Sequence, residues 1–178
     1  MVSIRHETAS DREAVFRVVE AAFGEEPSRR SAARGLRVAP LVDQLRDNGH
    51  CLLSIVAEDE GEIVGHIMFS PMIIKGEAAT WDAVCLAPVA VAPSRQKEGI
   101  GGLLIQGGLS ELREAGHGAV ILLGHPTYYP RFGFRPAREF DLHYQDDRDA
   151  FMAIELYPGA LDRVSGYVKF SPEFEPFE

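Results

Sequence analysis

The sequence predicts an α/β (α+β) fold in which a central sheet is flanked by helices. Three observations predict it. Short apolar runs of strand length alternate with segments whose apolar residues recur at helical spacing. Two runs, Cys51 to Glu58 and Glu62 to Ile74, flank Glu60-Gly61 and read as a hairpin-like pair. Further on, Pro88 to Leu104 reads as a strand, a tight polar turn and the start of an amphipathic helix.

Taken in order, Val2 to Arg5 is a first strand. Ser10 and Glu13 have capping-box spacing, which predicts a helix start, and Val15, Val18, Val19, Ala22 and Phe23 give that helix its inward stripe. Gly24 to Gly35 is polar, carries Arg29, Arg30 and Arg34, and reads as a loop. Pro40 suits the first position of a second helix, with Leu41, Val42 and Leu45 inward and Gly49 beyond its end. After the hairpin, Trp81 to Ala92 is a strand interrupted by Pro88; a proline cannot donate to the ladder, so a bulge or an edge is expected there. The helix from Gly99 to about Ala115 turns Leu104, Ile105, Leu109, Leu112 and Ala115 inward, and Gly116 suits its C′ position. Ala119 to Leu123, Phe140 to Tyr144, Phe151 to Tyr157 and Tyr167 to Phe170 read as further strands. No repeat or low-complexity segment breaks the chain, and residues 1–178 are expected to form a single domain.

Composition narrows the function. Of 178 residues, 46% are hydrophobic and 25% charged, as in an ordinary soluble globular protein. A net charge of −9 and a pI near 5.2 argue against nucleic-acid binding and leave room for a cationic amine. No apolar run is long enough for a membrane span and the first residues carry no signal-peptide core, so a cytoplasmic location away from membranes is expected. Cys51 and Cys85 have no paired-motif spacing, which predicts neither a zinc site nor a disulfide and leaves both as small buried hydrophobes.

The chemistry concentrates between Pro88 and Phe134. Gly99, Gly101 and Gly102 fall where a helix begins, and a helix start offers unpaired N–H groups and partial positive charge to an anion. A Walker A loop is absent, since no Gly-Lys-Ser/Thr occurs; the dinucleotide fingerprint fails because Leu104 stands where the third glycine belongs. What remains is Gln96-Lys97-Glu98-Gly99-Ile100-Gly101, a Q-x-x-G-x-G pattern directly after a strand. Downstream, after Ala119 to Leu123, comes Gly124-His125-Pro126-Thr127-Tyr128-Tyr129-Pro130-Arg131-Phe132-Gly133-Phe134, with a Y-x-x-x-G-F ending.

These two motifs, in this order on one strand-helix-strand unit, resemble the GNAT superfamily of acyl-CoA-dependent N-acyltransferases. The resemblance is sharp from Val84 to Phe134 and topological elsewhere. It implies a mixed, mostly antiparallel sheet with a splayed strand pair. It implies that the pyrophosphate of acetyl-CoA lies on Gln96, Lys97, Glu98, Gly99, Ile100, Gly101 and Gly102, and that the pantetheine arm pairs with the backbone of Val89, Ala90 and Val91. It further implies that Tyr129 lies near the sulfur and gives the departing thiolate a proton. The expected function is acetyl transfer to a small-molecule or peptide amine by direct attack in a ternary complex, without a metal, in a monomer or homodimer. Two rivals are a non-catalytic acyl-CoA-binding or sensing module and an NTP-dependent enzyme, the latter disfavoured by the missing Gly-Lys-Ser/Thr. Lys97 and Glu98 depart from the small or neutral residues common in that family, and Glu98 would repel a phosphate unless its side chain points away. His66, His125 and Asp82 are the titratable residues to weigh as a base and Cys85 as a nucleophile; none is assigned.

Overall fold

The computed structural model describes residues 1–24, 37–145 and 149–177. Along the chain run β1 (Ser3–His6), α1 (Arg12–Gly24), α2 (Val38–Asp47), β2 (Leu53–Asp59), β3 (Glu62–Lys75), β4 (Thr80–Val91), α3 (Ile100–Glu114), β5 (Ala119–Leu123), β6 (Arg135–Pro136), β7 (Leu142–His143), β8 (Phe151–Glu155) and β9 (Gly166–Lys169), with short 3-10 turns between them. Pairing is antiparallel for β1–β2, β2–β3, β3–β9, β5–β8 and β6–β8, and parallel for β4–β5 and β7–β9. The sheet is therefore mixed and mostly antiparallel, as expected. The residues group into two compact units, one of Met1–Ser70, Ala87–Gly108 and Pro172–Glu178, the other of Pro71–Leu86 and Leu109–Ser171.

In the first unit, β2 and β3 form the predicted hairpin. Glu60 (φ 50°) and Gly61 (φ 85°) are both left-handed, the backbone a two-residue hairpin turn needs to match strand twist. The end of β4 joins β3 where the Ala92 N–H donates to the Val64 carbonyl at 2.9 Å. The middle of α3 lies close on the strands because Gly107 and Gly108 carry no side chain. A Cβ would come within 2.4 Å of Ile4 Cδ1 at Gly107 and within 2.3 Å of Phe69 Cε2 at Gly108. Leu41, Val42 and Leu45 of α2 and Val15, Val18 and Val19 of α1 are buried, as their spacing predicts.

The cap of α1 is not the predicted one. A 3-10 turn, Ala9–Asp11, precedes the helix, and Asp11 Oδ2 accepts from the Thr8 N–H at 2.7 Å and from the Thr8 hydroxyl at 2.8 Å. Arg5 selects this geometry by gripping Asp11 from β1 at 2.7 and 3.0 Å, a contact from beyond the Ser10–Glu13 window. Pro40 sits third in α2, not first, still inside the turn whose N–H groups lack helical partners. Of the predicted Gly24–Gly35 loop, residues 25–35 lie outside the described residues, and Gly24 is the last residue of α1.

Beneath α2, Arg46 Nη2 meets Glu7 at 2.5 Å, and Ser54 donates its hydroxyl proton to Glu7. Ser54 has one proton, so its oxygen accepts from the His66 Nε2–H at 2.9 Å, which fixes the His66 tautomer. Burial holds the His66 pKa below its ordinary value, so the ring is neutral and structural. A C-terminal 3-10 turn, Pro172–Phe177, docks through Glu173, whose carboxylate takes Asn48 Nδ2 at 2.7 Å and His50 Nδ1 at 2.8 Å. Its Pro-interrupted sequence carries no helical stripe, which is why periodicity missed it.

The second unit is centred on β5. It runs parallel to β4, with Val84 opposite Val120 and Cys85 opposite Ile121, and antiparallel to β8 over five residues. Ile74, Ile121, Leu122, Phe134 and Phe151 are among its largest fully buried side chains. The predicted strand Phe140–Tyr144 shrinks to Leu142–His143, because Ala137–Phe140 forms a 3-10 turn closed by left-handed Asp141. Ala115, expected inward, is exposed past the end of α3, where the Gly116 N–H turns back to Arg113 and the His117 N–H to Leu112, both at 3.0 Å.

Candidate functional site

The predicted phosphate loop forms as the strand-turn-helix its sequence implies. After β4, a 3-10 turn, Pro93–Arg95, leads into extended Gln96, whose side-chain Nε2 donates back to the Val91 carbonyl at 3.3 Å. Lys97 (φ 69°) and Gly99 (φ 86°) are left-handed, and such alternation is the backbone pattern of an anion-binding concavity. At Lys97 the conformation costs about 1 kcal/mol, which glycine would avoid. The first helical bond of α3, from the Leu103 N–H to the Gly99 carbonyl at 3.0 Å, leaves the N–H groups of Ile100, Gly101 and Gly102 without helical partners. Buried Ile100 anchors that turn, while Gln96, Lys97, Glu98 and Gly99 are exposed and Gly101 and Gly102 half-buried. A Cβ on Gly99 would meet nothing within 4 Å, so the approach to the helix start is open.

The charge of Glu98 is handled by a residue the sequence reading passed over. Arg95 Nε lies 2.9 Å from Glu98 Oε2, and Arg95 Nη2 lies 3.0 Å from Asp59 Oδ2 at the end of β2. The i, i+3 spacing of Arg95 and Glu98 was visible in the sequence; Asp59, on a distant strand, was not.

Val89, Ala90 and Val91 lie in the same unit, on the last residues of β4. Ala90 is buried and the two valines half-buried. Among the described residues the parallel register of β4 with β5 covers Val84 and Cys85 and not these three. Pro88 precedes them with its ring buried, and the Ala87–Pro88 peptide is cis.

Tyr129 belongs to the second unit and begins a 3-10 turn, Tyr129–Phe132, that Gly133 closes at φ 98°. Its ring lies directly on the backbone after β5, where a Cβ at Gly124 would come within 2.2 Å of Tyr129 Cε2. It meets Phe134 edge-on with centroids 5.7 Å apart and Tyr128 at 5.2 Å. The Y-x-x-x-G-F pattern is thus an aromatic clamp that sets one ring at the mouth of a turn. Tyr128 meets Phe132 edge-on with centroids 5.4 Å apart and lies under the Arg131 guanidinium, 4.5 Å from its ring centroid, and burial raises its phenol pKa above the ordinary value.

The other residues weighed for chemistry lie in different surroundings. Cys85 is fully buried in the β4–β5 ladder. Cys51 is half-buried rather than buried, and desolvation pushes its thiol up, away from reactivity. Asp82 and His125 are exposed. Among the described residues no cluster of His, Cys, Asp and Glu could hold a metal ion, and no helix is long and apolar enough to cross a membrane.

The chain as a whole is similar to known proteins. A family model described as an acetyltransferase (GNAT) domain matches residues 3–137. The uncharacterized N-acetyltransferase YhbS of Escherichia coli is 38% identical over 142 residues, covering 78% of this chain and 84% of its own length. The crystal structure of YhbS in complex with CoA superposes with a TM-score of 0.83 at 33% identity, covering 99% of this chain and 93% of that one. A GNAT family acetyltransferase from Brucella melitensis, solved with acetyl-CoA, gives 0.80 at 36% identity over 98% of this chain and 99% of its own.

Proposed function

This chain belongs to the GNAT acetyltransferase family, and we propose that residues 1–178 act as a single domain that moves an acetyl group from acetyl-CoA to a primary amine by direct attack in a ternary complex. The observation that carries this reading is the open helix start at Ile100, Gly101 and Gly102, with Glu98 engaged by Arg95. Those N–H groups suit the pyrophosphate, and the backbone of Val89, Ala90 and Val91 suits the amides of the pantetheine arm. That the two solved relatives above hold CoA and acetyl-CoA supports the assignment.

The chemistry asked of the chain is modest. The amine nitrogen bonds to the thioester carbonyl carbon, the carbon–sulfur bond breaks, and the sulfur leaves with the electron pair. Positioning both reactants supplies much of the acceleration. A lysine-like amine has a pKa of about 10.4, so presenting it neutral at pH 7 costs about 4.6 kcal/mol, and the site takes up that proton before attack. Tyr129 holds the proton that the sulfur needs, a ring clamped on Gly124 and Phe134 delivers it from a fixed direction, and the proton that the nitrogen sheds on becoming an amide restores the phenol. The acceptor is a small-molecule or peptide amine; the acidic composition favours a cationic one, and the cytoplasm is the compartment we propose.

Calorimetric titration tests the first step. Acetyl-CoA binds and raises the melting temperature by mass action. Absence of binding at millimolar acetyl-CoA overturns the proposal.

A further inference from the structure

We infer that Arg95 is a positioning residue for the cofactor loop: held between Glu98 and Asp59, it neutralises the loop's carboxylate and ties the loop to the end of β2. The inference rests on the reading that the helix start at Ile100–Gly102 takes the phosphates of CoA.

Between Pro93 and Gly102 the sequence carries a single acidic residue, Glu98, two positions before α3 begins. There a carboxylate has two harmful options. It can take the open N–H groups itself, as acidic residues do at helix N-termini, or it can repel the incoming phosphates. The structure gives it a third. Glu98 Oε2 accepts from Arg95 Nε at 2.9 Å, and the same guanidinium donates through Nη2 to Asp59 Oδ2 at 3.0 Å. Asp59 Oδ1 is taken by the Met1 amine at 2.7 Å, which leaves Oδ2 for Arg95.

A planar fork with separated donors can hold two carboxylates at once; the compact ammonium of a lysine cannot fix both in place. The Arg95–Glu98 pair is exposed, with 28% of the Arg95 and 45% of the Glu98 side chain accessible, and an exposed pair contributes little to folding; the Arg95–Asp59 pair is half-buried, with 19% of the Asp59 side chain accessible. The purpose the geometry supports is directional. It keeps one negative charge turned from the helix start and the turn Pro93–Arg95 fastened to β2.

The test measures CoA affinity by calorimetry in the wild type, R95Q, E98Q and R95Q/E98Q, with melting temperatures recorded alongside. Two unit charges about 7 Å apart in a water-like medium alter binding roughly threefold, so a freed carboxylate facing two phosphates weakens CoA about tenfold in R95Q. With Arg95 present, E98Q tightens binding only about twofold; in the R95Q background the same change recovers about fivefold. The R95Q deficit shrinks as salt is raised to about 0.5 M, where the screening length is near 4 Å. R95K falls between wild type and R95Q. A purely structural Arg95 would lower the melting temperature, and E98Q would not rescue it.

Equal gains from E98Q in both backgrounds overturn the inference, because the two charges would then act independently on the ligand. Gly101→Asp separates this failure from failure of the cofactor reading. If that variant loses CoA while the E98Q gains are equal, only the role of Arg95 is wrong. If it binds CoA as the wild type does, the loop is not the cofactor site and both fall.

Discussion

Turnover in Tyr129→Phe falls by about 10²–10⁴-fold while acetyl-CoA affinity stays within about twofold, the signature of a lost proton donor rather than a lost binding group. The ring contributes packing that phenylalanine keeps. It lies on the Gly124 backbone and meets the edges of Phe134 at 5.7 Å and Tyr128 at 5.2 Å, and none of these contacts needs the hydroxyl. The substitution therefore removes one O–H and leaves the clamp. Steady-state kinetics with a single amine, beside direct titration of acetyl-CoA, separate the two effects. Near wild-type turnover in Tyr129→Phe would return the residue to the aromatic core. A matching loss in Tyr128→Phe would move the proton to its neighbour, whose burial already favours the protonated phenol.

Gly101→Asp is the second large effect. Affinity for CoA falls about 100-fold, because a fixed carboxylate takes the place of a ligand phosphate and forfeits charge-assisted bonds worth about 1.5–3 kcal/mol each. Folding stability moves the other way or stays level. An acidic residue in the first turn of α3 complements the helix dipole by about 0.3–1 kcal/mol. Opposite signs for binding and stability are what distinguish this site from an ordinary packing position. Calorimetry and a thermal melt on the same preparation give both, and wild-type affinity in the folded variant would show that the phosphates lie elsewhere.

The parts of this molecule that were legible in the sequence are those where local chemistry and tertiary context agree. The Glu60-Gly61 turn, the Leu41, Val42 and Leu45 stripe and the helix start after Gly99 each follow from a few adjacent residues, and each is found. The order Gln96–Gly101 then Tyr129–Phe134 was enough to place the family, since both motifs encode backbone shape as well as side chains. Long-range partners decided the rest. Arg5 moved the α1 cap to Thr8 and Asp11 by reaching across from β1. Asn48 and His50 gave the C-terminal turn its anchor through Glu173, from positions 125 and 123 residues earlier in the chain. The Arg95–Asp59 contact joins residues 36 apart, so the balance of charge at the loop became visible only in three dimensions. The same holds for His66, weighed as a base for its titratable ring and not assigned, which burial and Ser54 commit to the core.

The central claim is catalysis of acetyl transfer, and the most direct measurement is the release of free CoA thiol from acetyl-CoA across a panel of primary amines, with the acetylated product identified by mass. The account predicts thiol release that depends on both protein and amine, one acetyl group gained per thiol formed, and loss of that release in Tyr129→Phe. Tight acetyl-CoA binding with no amine-dependent thiol release across small amines, amino acids and peptides would contradict it, and would make the chain an acyl-CoA-binding module instead.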